Sequence, residues 1–203
     1  MAELLPFRTE GIIEAGCDEA GRGCLAGPVV AAAVILPIDF SHPLLNDSKK
    51  LTEKQRNLLR PIIEEAAISY HVCFVSEREI ESINILQASL TGMYRAAAEL
   101  NPLPQELLID GNKTLKNGQF IAHSIIKGDG IYQSIAAASV LAKTYRDEYM
   151  EELHAQFPMY QWIENKGYPT VSHRKAIQEF GPCEHHRQTF NLLGSEQLTL
   201  LFD

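Results

Sequence analysis

The sequence of 203 residues has few cysteines and only one tryptophan. Its four cysteines include no C-x-x-C pair, and so they do not form a recognisable metal or redox motif. Cys17 and Cys24 border a glycine-rich turn that a disulfide would distort. We therefore expect all four thiols to be reduced and mostly buried.

Long apolar runs are also missing. No stretch of eighteen uncharged apolar residues occurs, which argues against a membrane-spanning helix. The chain begins Met1-Ala2-Glu3, without the basic region and apolar run of a secretory signal. We therefore expect a cytoplasmic protein with no membrane association. The 45% hydrophobic content is enough for the core of one α/β domain.

Basic residues are scarce overall, with 18 Lys and Arg against 26 Asp and Glu and a formal net charge of −8. Taken alone, this charge argues against a polyanionic partner, because non-specific nucleic-acid binding is mainly electrostatic. However, metal-binding carboxylates raise the acidic count, and basic residues cluster beside the motifs described below. These basic residues are Arg22, Lys49, Lys50, Lys127, Lys143, Arg146, Lys166 and Arg187.

The most informative segment is an acidic turn, Asp18-Glu19-Ala20-Gly21-Arg22-Gly23, which follows an apolar run. Carboxylates bind hard cations. A turn without bulky side chains lets backbone N–H groups and a guanidinium approach a phosphate-sugar backbone. The combination suggests metal-assisted phosphodiester chemistry.

The same glycines also satisfy the loose G-x-G-x-x-G/A pattern of a dinucleotide-binding turn. In that alternative a pyrophosphate would lie at the N-terminus of a following helix. Two carboxylates directly upstream would repel it. The segment from Pro28 to Leu36 is short, partly β-branched and closed by Pro37, and so it predicts a buried strand instead of a helix.

Periodicity predicts a mixed β-sheet flanked by helices. Strands are expected at residues 11–18, 28–36, 69–75, 106–110 and about 120–127. The capping-box spacing at Thr52 predicts the start of a helix that Pro61 should bend or interrupt. Further helices are expected at about 84–100 and from Ser134 to about Gln156, and the latter places Ser139, Lys143 and Asp147 on one face.

A set of motifs occurs in order from residue 11 to about residue 190. Besides the acidic turn, they are Leu25-Ala26-Gly27-Pro28-Val29, Asp47-Ser48-Lys49, Asp110-Gly111, Lys127-Gly128-Asp129, Ser134-Ile135-Ala136-Ala137-Ala138-Ser139 with Lys143, Arg146-Asp147, Gly167-Tyr168-Pro169-Thr170, and His186-Arg187 with Phe190. Together they resemble bacterial ribonuclease HII. One departure is Cys24, where a proline is more usual in that family.

The resemblance implies a ribonuclease H-like α/β fold with a helical C-terminal part. We expect one catalytic domain over residues 1–190 and a tail over 191–203. The implied activity is hydrolysis of the RNA strand of RNA–DNA hybrids, and incision of DNA on the 5′ side of embedded ribonucleotides, leaving 3′-hydroxyl and 5′-phosphate ends. Since the first acid is at residue 18 and Tyr168 is present, we expect the HII type and not ribonuclease HIII, which has an added N-terminal domain.

Four acids, Asp18, Glu19, Asp110 and Asp129, lie at or just beyond the ends of three predicted strands. Adjacent strands are about 4.8 Å apart, so acids on neighbouring strand ends can bind two divalent ions about 3.5–4 Å apart. Asp18 and Glu19 can share a site only if the strand ends between them. The resemblance implies that all four are catalytic metal ligands for Mg²⁺ or Mn²⁺, with Asp18 bridging both ions.

Substrate contacts are also expected from the resemblance. The backbone of Gly21, Arg22 and Gly23 would sense the ribose 2′-hydroxyl, and Tyr168 would pack on the neighbouring deoxyribose. The remaining expected contacts, mainly to phosphates, are Ser48, Lys49, Ser139, Lys143, His186 and Arg187. Asp147 is expected to form a structural ion pair.

The final residues, Gln197 to Phe202, resemble the short peptides with which bacterial repair proteins bind the sliding clamp. Packing of these apolar residues onto the domain is the alternative. For the whole chain, we expect a monomeric enzyme. A non-catalytic hybrid-binding module would need one of the four acids to be out of place, and a junction resolvase would not need the glycine turn or Tyr168.

Overall fold

The computed structural model describes residues 4–46, 50–114 and 119–194. Its central sheet has five strands in the order β3-β2-β1-β4-β5. The strands are β1 (Glu14–Ala20), β2 (Val29–Ile35), β3 (Ser69–Val75), β4 (Glu106–Asp110) and β5 (Ile121–Ile125). β2 is antiparallel to both β1 and β3, whereas β4 is parallel to both β1 and β5. The predicted mixed sheet is confirmed.

Six α-helices surround this sheet in the described ranges. They are α1 (Glu53–Ala66), α2 (Glu77–Ile83), α3 (Ile85–Ala98), α4 (Gln133–Gln156), α5 (Trp162–Asn165) and α6 (Val171–Phe180). None of them is both long enough and apolar enough to cross a membrane.

β2 is buried along its whole length because helices cover both faces of the sheet. Ala32 and Val34 pack with the alanine-rich part of α4 on one face. Ala31 and Ala33 pack with Leu90 and Met93 of α3 on the other. A strand buried on both faces is expected to be continuously apolar, as β2 is. Because β2 and not a helix follows the glycine turn, the dinucleotide-binding alternative is excluded.

The capping box at Thr52 is confirmed. The Thr52 side chain accepts a hydrogen bond from the Gln55 amide, and the Gln55 side chain accepts one from the Thr52 amide. α1 then continues past Pro61 to Ala66, and so the proline does not interrupt it. Pro61 lies on the exposed side of α1, where water can hydrogen-bond the carbonyl that loses its amide partner.

α2 was not predicted from the sequence. It is one short helix whose Ser76 N-cap accepts from the Glu79 amide. Asn84, at φ 65°, separates it from α3 and caps α3 by accepting from the amides of Leu86 and Gln87. A positive φ at a non-glycine residue is uncommon, and asparagine tolerates it best.

The helical C-terminal part has its own apolar cluster. Met150 and Leu153 of α4 pack with Trp162 and Ile177 there. Leu192 and Leu193 also pack against this cluster, a few residues beyond the predicted domain boundary at residue 190. All four cysteines are free, with Cys17 and Cys24 buried and the other two half-buried.

Candidate active site

Three aspartates meet at the carboxyl-terminal edge of the parallel strands. Asp18 lies near the end of β1, Asp110 is the last residue of β4, and Asp129 lies in a 3-10 turn after β5. Each offers a carboxylate oxygen within 4.8 Å of the other two. Parallel neighbours bring their carboxyl ends to one edge, which gathers acids that are far apart in sequence.

Hydrogen bonds fix two of these carboxylates. Asp18 Oδ1 accepts from the Glu19 amide at 2.7 Å, and the Ser139 side chain also hydrogen-bonds Asp18. Asp110 Oδ1 accepts from the Gly128 amide at 2.7 Å, which ties the end of β4 to the turn that carries Asp129. The arrangement is therefore anchored by the backbone of two separate segments.

The electrostatics favour a cation at this edge. Burial raises the pKa of Asp18 well above its usual value, and the neighbouring Glu19 and Asp110 carboxylates raise it further. Carboxylates this close repel one another when ionised, and an ion of opposite charge removes that cost. An oxygen-only donor set of this kind fits Mg²⁺ or Mn²⁺ better than Zn²⁺.

Glu19 lies beside this group and not in it. β1 continues through Ala20, since Glu19 pairs with Ala31 and Ala20 with Val30 of β2. The expectation that the strand ends between Asp18 and Glu19 is therefore wrong. Side chains alternate along a continuing strand, and the Glu19 carboxylate accepts from Arg22 Nη1 at 3.2 Å.

One cavity of about 240 Å³ nevertheless joins most of the predicted site. Its lining residues are Asp18, Glu19, Ala20, Gly21, Arg22, Gly23, Arg56, Asp110, Ser139, Lys143 and Tyr168. Arg56 of α1 was not predicted. No local motif marks it, because its place in the cavity depends on the packing of α1 against α4 through Leu59 and Ile63.

α4 presents Ser139, Lys143 and Asp147 on one face, as predicted. Lys143 Nζ donates to Asp147 Oδ1 at 2.6 Å and lies 5.4 Å from the centre of the Tyr168 ring. Asp147 also lies 3.9 Å from Arg56 Nη2. Asp147 therefore forms structural ion pairs, with Lys143 and Arg56.

Tyr168 lies at the mouth of the cavity with 37% of its surface exposed. Its turn is held from below, because His173 Nδ1 donates to the Tyr168 carbonyl at 2.9 Å. The Tyr168 amide donates to the Asn165 carbonyl at 2.8 Å. The ring can thus face a substrate while its backbone stays fixed.

Two expected substrate contacts need correction. His186 and Arg187 are 1% and 0% exposed, and both lie behind the glycine turn. Arg187 donates to the carbonyls of Arg22 and Gly27. Because neither side chain reaches the cavity, neither can contact a phosphate there. Their contribution comes through the backbone that they support.

The buried histidines form a neutral hydrogen-bonded chain. Since His173 Nδ1 must donate to a carbonyl, its Nε2 accepts from Trp162 Nε1 at 3.0 Å. His186 Nδ1 accepts from the Cys183 amide, and so its Nε2 donates to His173 Nε2 at 3.2 Å. Burial lowers the pKa of both rings, that of His186 to about 4.

Three further predictions fall on residues that the structure does not describe. Ser48 and Lys49 lie in the gap between residues 46 and 50, and Gln197 to Phe202 lie after residue 194. Their expected contacts with phosphate and with the sliding clamp stay predictions.

Comparison with known proteins gives a consistent result. The sequence profile of the family described as Ribonuclease HII matches residues 15–193. The curated protein named Ribonuclease HII from Bacteroides thetaiotaomicron is 60% identical over 199 residues, covering 98% of this chain and 100% of its own.

Solved structures agree with the fold. Ribonuclease H2 from Pyrococcus horikoshii OT3 superposes with a TM-score of 0.73 at 24% identity, over 94% of this chain and 99% of that one. The PCNA:RNase HII complex from Archaeoglobus fulgidus contains a chain that matches with a TM-score of 0.70 at 25% identity, over 88% of this chain and 96% of that one.

Proposed function

The chain belongs to the ribonuclease HII family, hydrolases that act on RNA–DNA hybrids, and we propose that it also incises DNA on the 5′ side of embedded ribonucleotides. Cleavage would leave 3′-hydroxyl and 5′-phosphate ends. The observation that carries this proposal is a single cavity that joins a carboxylate cluster, a glycine turn and Tyr168. The first of these suits phosphodiester hydrolysis, and the other two suit recognition of a sugar.

Asp18, Asp110 and Asp129 would hold divalent ions, with Glu19 beside them. Mg²⁺ or Mn²⁺ held by these carboxylates would supply an activated water at neutral pH, and a pair of such ions would stabilise the attacking and leaving oxygens. No histidine lines the cavity in the described ranges, which is consistent with a reaction that needs no histidine base.

The protein's own contribution is alignment and charge. The Ser139 side chain and the amides of Glu19 and Gly128 orient the carboxylates. Lys143 and Arg56 bring positive charge to the lining of the cavity, where the scissile strand's phosphates would bind. Lys143 is paired with Asp147, which holds its ammonium group at the cavity instead of in solvent.

Selectivity for a ribonucleotide would come from the glycine turn and Tyr168. The 2′-hydroxyl both donates and accepts, and it is what distinguishes RNA from DNA at a given site. The backbone of residues 21–23 can reach it because Gly23 is exposed and carries no side chain. The Tyr168 ring would then pack on the next sugar.

The test is cleavage of a duplex that carries one ribonucleotide, with all-DNA and all-RNA duplexes as controls. We expect incision on the 5′ side of the ribonucleotide in Mg²⁺ or Mn²⁺, and none in chelator or on the all-DNA duplex. Equal cleavage of the all-DNA duplex would contradict the proposed specificity. Cleavage that persists in chelator would contradict the metal dependence.

We propose in addition that residues 197–202 bind the sliding clamp. The sequence pattern supports this, as does the archaeal complex of a related RNase HII with PCNA. The chain with and without its last seven residues would be tested for binding to purified clamp. Loss of binding on truncation is expected. Unchanged binding would favour packing of these residues on the domain.

Monomeric action in the cytoplasm stays a prediction. Light scattering at assay concentrations would test it, and the expected mass is 22.7 kDa. A dimer whose dissociation abolishes cleavage would contradict it.

A further inference from the structure

Two buried arginines lie behind the loop that joins β1 to β2. Arg146 of α4 and Arg187 near the C-terminus are both 0% exposed. The six hydrogen bonds that their guanidinium groups donate all go to backbone carbonyls. Neither arginine forms an ion pair with a carboxylate in the described part of the chain.

The carbonyls that they bind belong to two segments, residues 22–28 and Lys166, which continue from residues that line the cavity. Arg187 donates to the Arg22 carbonyl at 3.0 Å and, through two nitrogens, to the Gly27 carbonyl at 3.0 and 2.8 Å. Arg146 donates to the carbonyls of Ala26 and Pro28 at 3.0 and 3.1 Å. It also donates to the Lys166 carbonyl at 2.8 Å, two residues before Tyr168.

A trans peptide places its C=O and N–H on opposite sides. A carbonyl held from behind therefore directs the amide of the next residue outward. The amides of Gly27 and Gly167 each follow a carbonyl that Arg146 holds, but both are used within the protein. The Gly27 amide donates to the His185 carbonyl, and the Gly167 amide donates to Asn165 Oδ1. Pro28, which follows the held Gly27 carbonyl, has no amide proton to direct.

Gly23 differs from these positions. Its amide follows the carbonyl that Arg187 holds, it is exposed, and it lines the cavity. No acceptor in the described part of the protein takes this amide proton. At Gly23, therefore, the held Arg22 carbonyl directs the Gly23 N–H into the cavity, where the substrate would bind.

The glycines around the loop make room for this support. A Cβ on Gly21, which has φ 95°, would lie 2.1 Å from Arg146 Nε. A Cβ on Gly167 would lie 2.6 Å from the Ala26 carbonyl oxygen. A Cβ on Gly23 would meet open space. The absence of a side chain at Gly21 and Gly167 therefore allows close packing behind the cavity. At Gly23 it leaves space open for the substrate.

Two buried cations without carboxylate partners are expensive, and apolar residues would serve stability better. We propose that Arg187 and Arg146 are positioning residues: Arg187 aims the Gly23 amide at the ribose of the substrate, and Arg146 fixes the distance between this loop and the Tyr168 turn. The inference rests on the proposed function, because it assumes that a ribose binds in this cavity. It goes further by assigning the orientation of the loop to side chains that never touch substrate.

A double-mutant cycle tests the role of Arg187. Arg187→Lys weakens the hold on the Arg22 carbonyl, and Gly23→Pro removes the amide proton. We expect Arg187→Lys to lower kcat by about 10- to 100-fold on the single-ribonucleotide duplex, the equivalent of one charge-assisted hydrogen bond, with KM changed far less. In the Gly23→Pro background the same change should cost less than about threefold.

Gly23→Ala, which keeps the amide, reports what filling the open space costs by itself. Arg174→Lys is the matched control, since Arg174 also donates to two carbonyls, at 2.8 and 2.7 Å, but at the C-terminal end of the chain. Its kcat should equal that of the wild type. Additive losses from Arg187→Lys and Gly23→Pro would overturn the proposal.

A second measurement needs neither catalysis nor a folded Arg187 variant. In the wild-type protein with chelator, hydrogen exchange at the Gly23 amide should slow when a ribonucleotide-containing duplex binds, but not when the all-DNA duplex binds. Equal exchange in both complexes would refute the proposal that the Gly23 amide contacts the ribose. An enzyme that binds selectively yet fails to cleave would instead refute the proposed activity.

Discussion

The two walls of the cavity are built in different ways. The carboxylate wall presents side chains at strand ends, and each acid is visible in the sequence beside a glycine or another acid. The loop wall presents backbone groups, and its support comes from Arg146 and Arg187, far away in sequence. Chemistry on the first wall depends on which residues are present. Recognition on the second depends on how distant buried residues orient a peptide.

The largest expected effect is on the carboxylate wall. Asp110→Asn keeps the shape and removes one of three clustered charges, and so it should lower kcat on the order of a thousandfold, about 4 kcal/mol in barrier height. Steady-state cleavage in Mg²⁺ measures it. Asp39→Asn, an exposed acid outside the cavity, should cut at the wild-type rate. If Asp110→Asn also does so, this wall is not the site of hydrolysis.

Tyr168 tests the loop wall, where the expected losses are smaller. Tyr168→Ala removes a ring that would pack on a sugar, and we expect about 10- to 100-fold lower kcat/KM on the single-ribonucleotide duplex. Tyr168→Phe keeps the ring and should lose only about three- to tenfold, the value of one neutral hydrogen bond. Measuring kcat/KM for cleavage by both variants separates the contribution of the ring from that of the hydroxyl. Equal losses would mean that the hydroxyl, and not the ring, carries the contact.

Lys143 lies between the two walls and should affect binding more than turnover. Lys143→Met is expected to raise KM several-fold and to reduce the slope of log KM against log salt by about one, as for one lost phosphate contact. Titrating salt from low to physiological strength measures this. Lys175→Met removes the same charge from an exposed position on α6 and should leave the slope unchanged. Identical slopes for both variants would exclude a specific role.

The sequence predicts the parts of this molecule that depend on neighbours along the chain. Thr52 begins α1 because its capping partner Gln55 is three residues away, and β2 is apolar throughout because it is covered on both faces. Asp110 was identified from a short strand that ends in an acid. Each of these signals is contained in a few consecutive residues.

Features that arise from packing between distant segments were not predictable in this way. Arg56 reaches the cavity only because α1 packs on α4, and Arg187 lies behind the loop because the C-terminal segment folds under residue 27. A basic residue beside a motif looks the same in sequence whether it faces a phosphate or a carbonyl. Burial, which the fold alone determines, separates these two roles.

The remaining expected effect is on acid stability and not on activity, and here the two walls should differ in sign. His186 on the loop side has its pKa lowered to about 4 by burial, whereas the ordinary value is 6.5. The unfolded chain then takes up the proton first. The stability that the neutral histidine chain provides is complete above about pH 6.5 and is lost as pH falls toward about 4, by up to about 3 kcal/mol.

On the carboxylate side, the raised pKa of Asp18 means that acid relieves repulsion in the metal-free protein, which adds stability as pH falls. A comparison of variants separates the two contributions, because His186→Gln removes only the first. Denaturant unfolding in chelator, at pH 7 and at pH 4.5, should show a smaller acid loss for His186→Gln than for the wild type. His154→Gln, on the last turn of α4 and outside the histidine chain, should lose as much as the wild type. An equal acid loss in all three proteins would mean that His186 does not make the loop wall sensitive to acid.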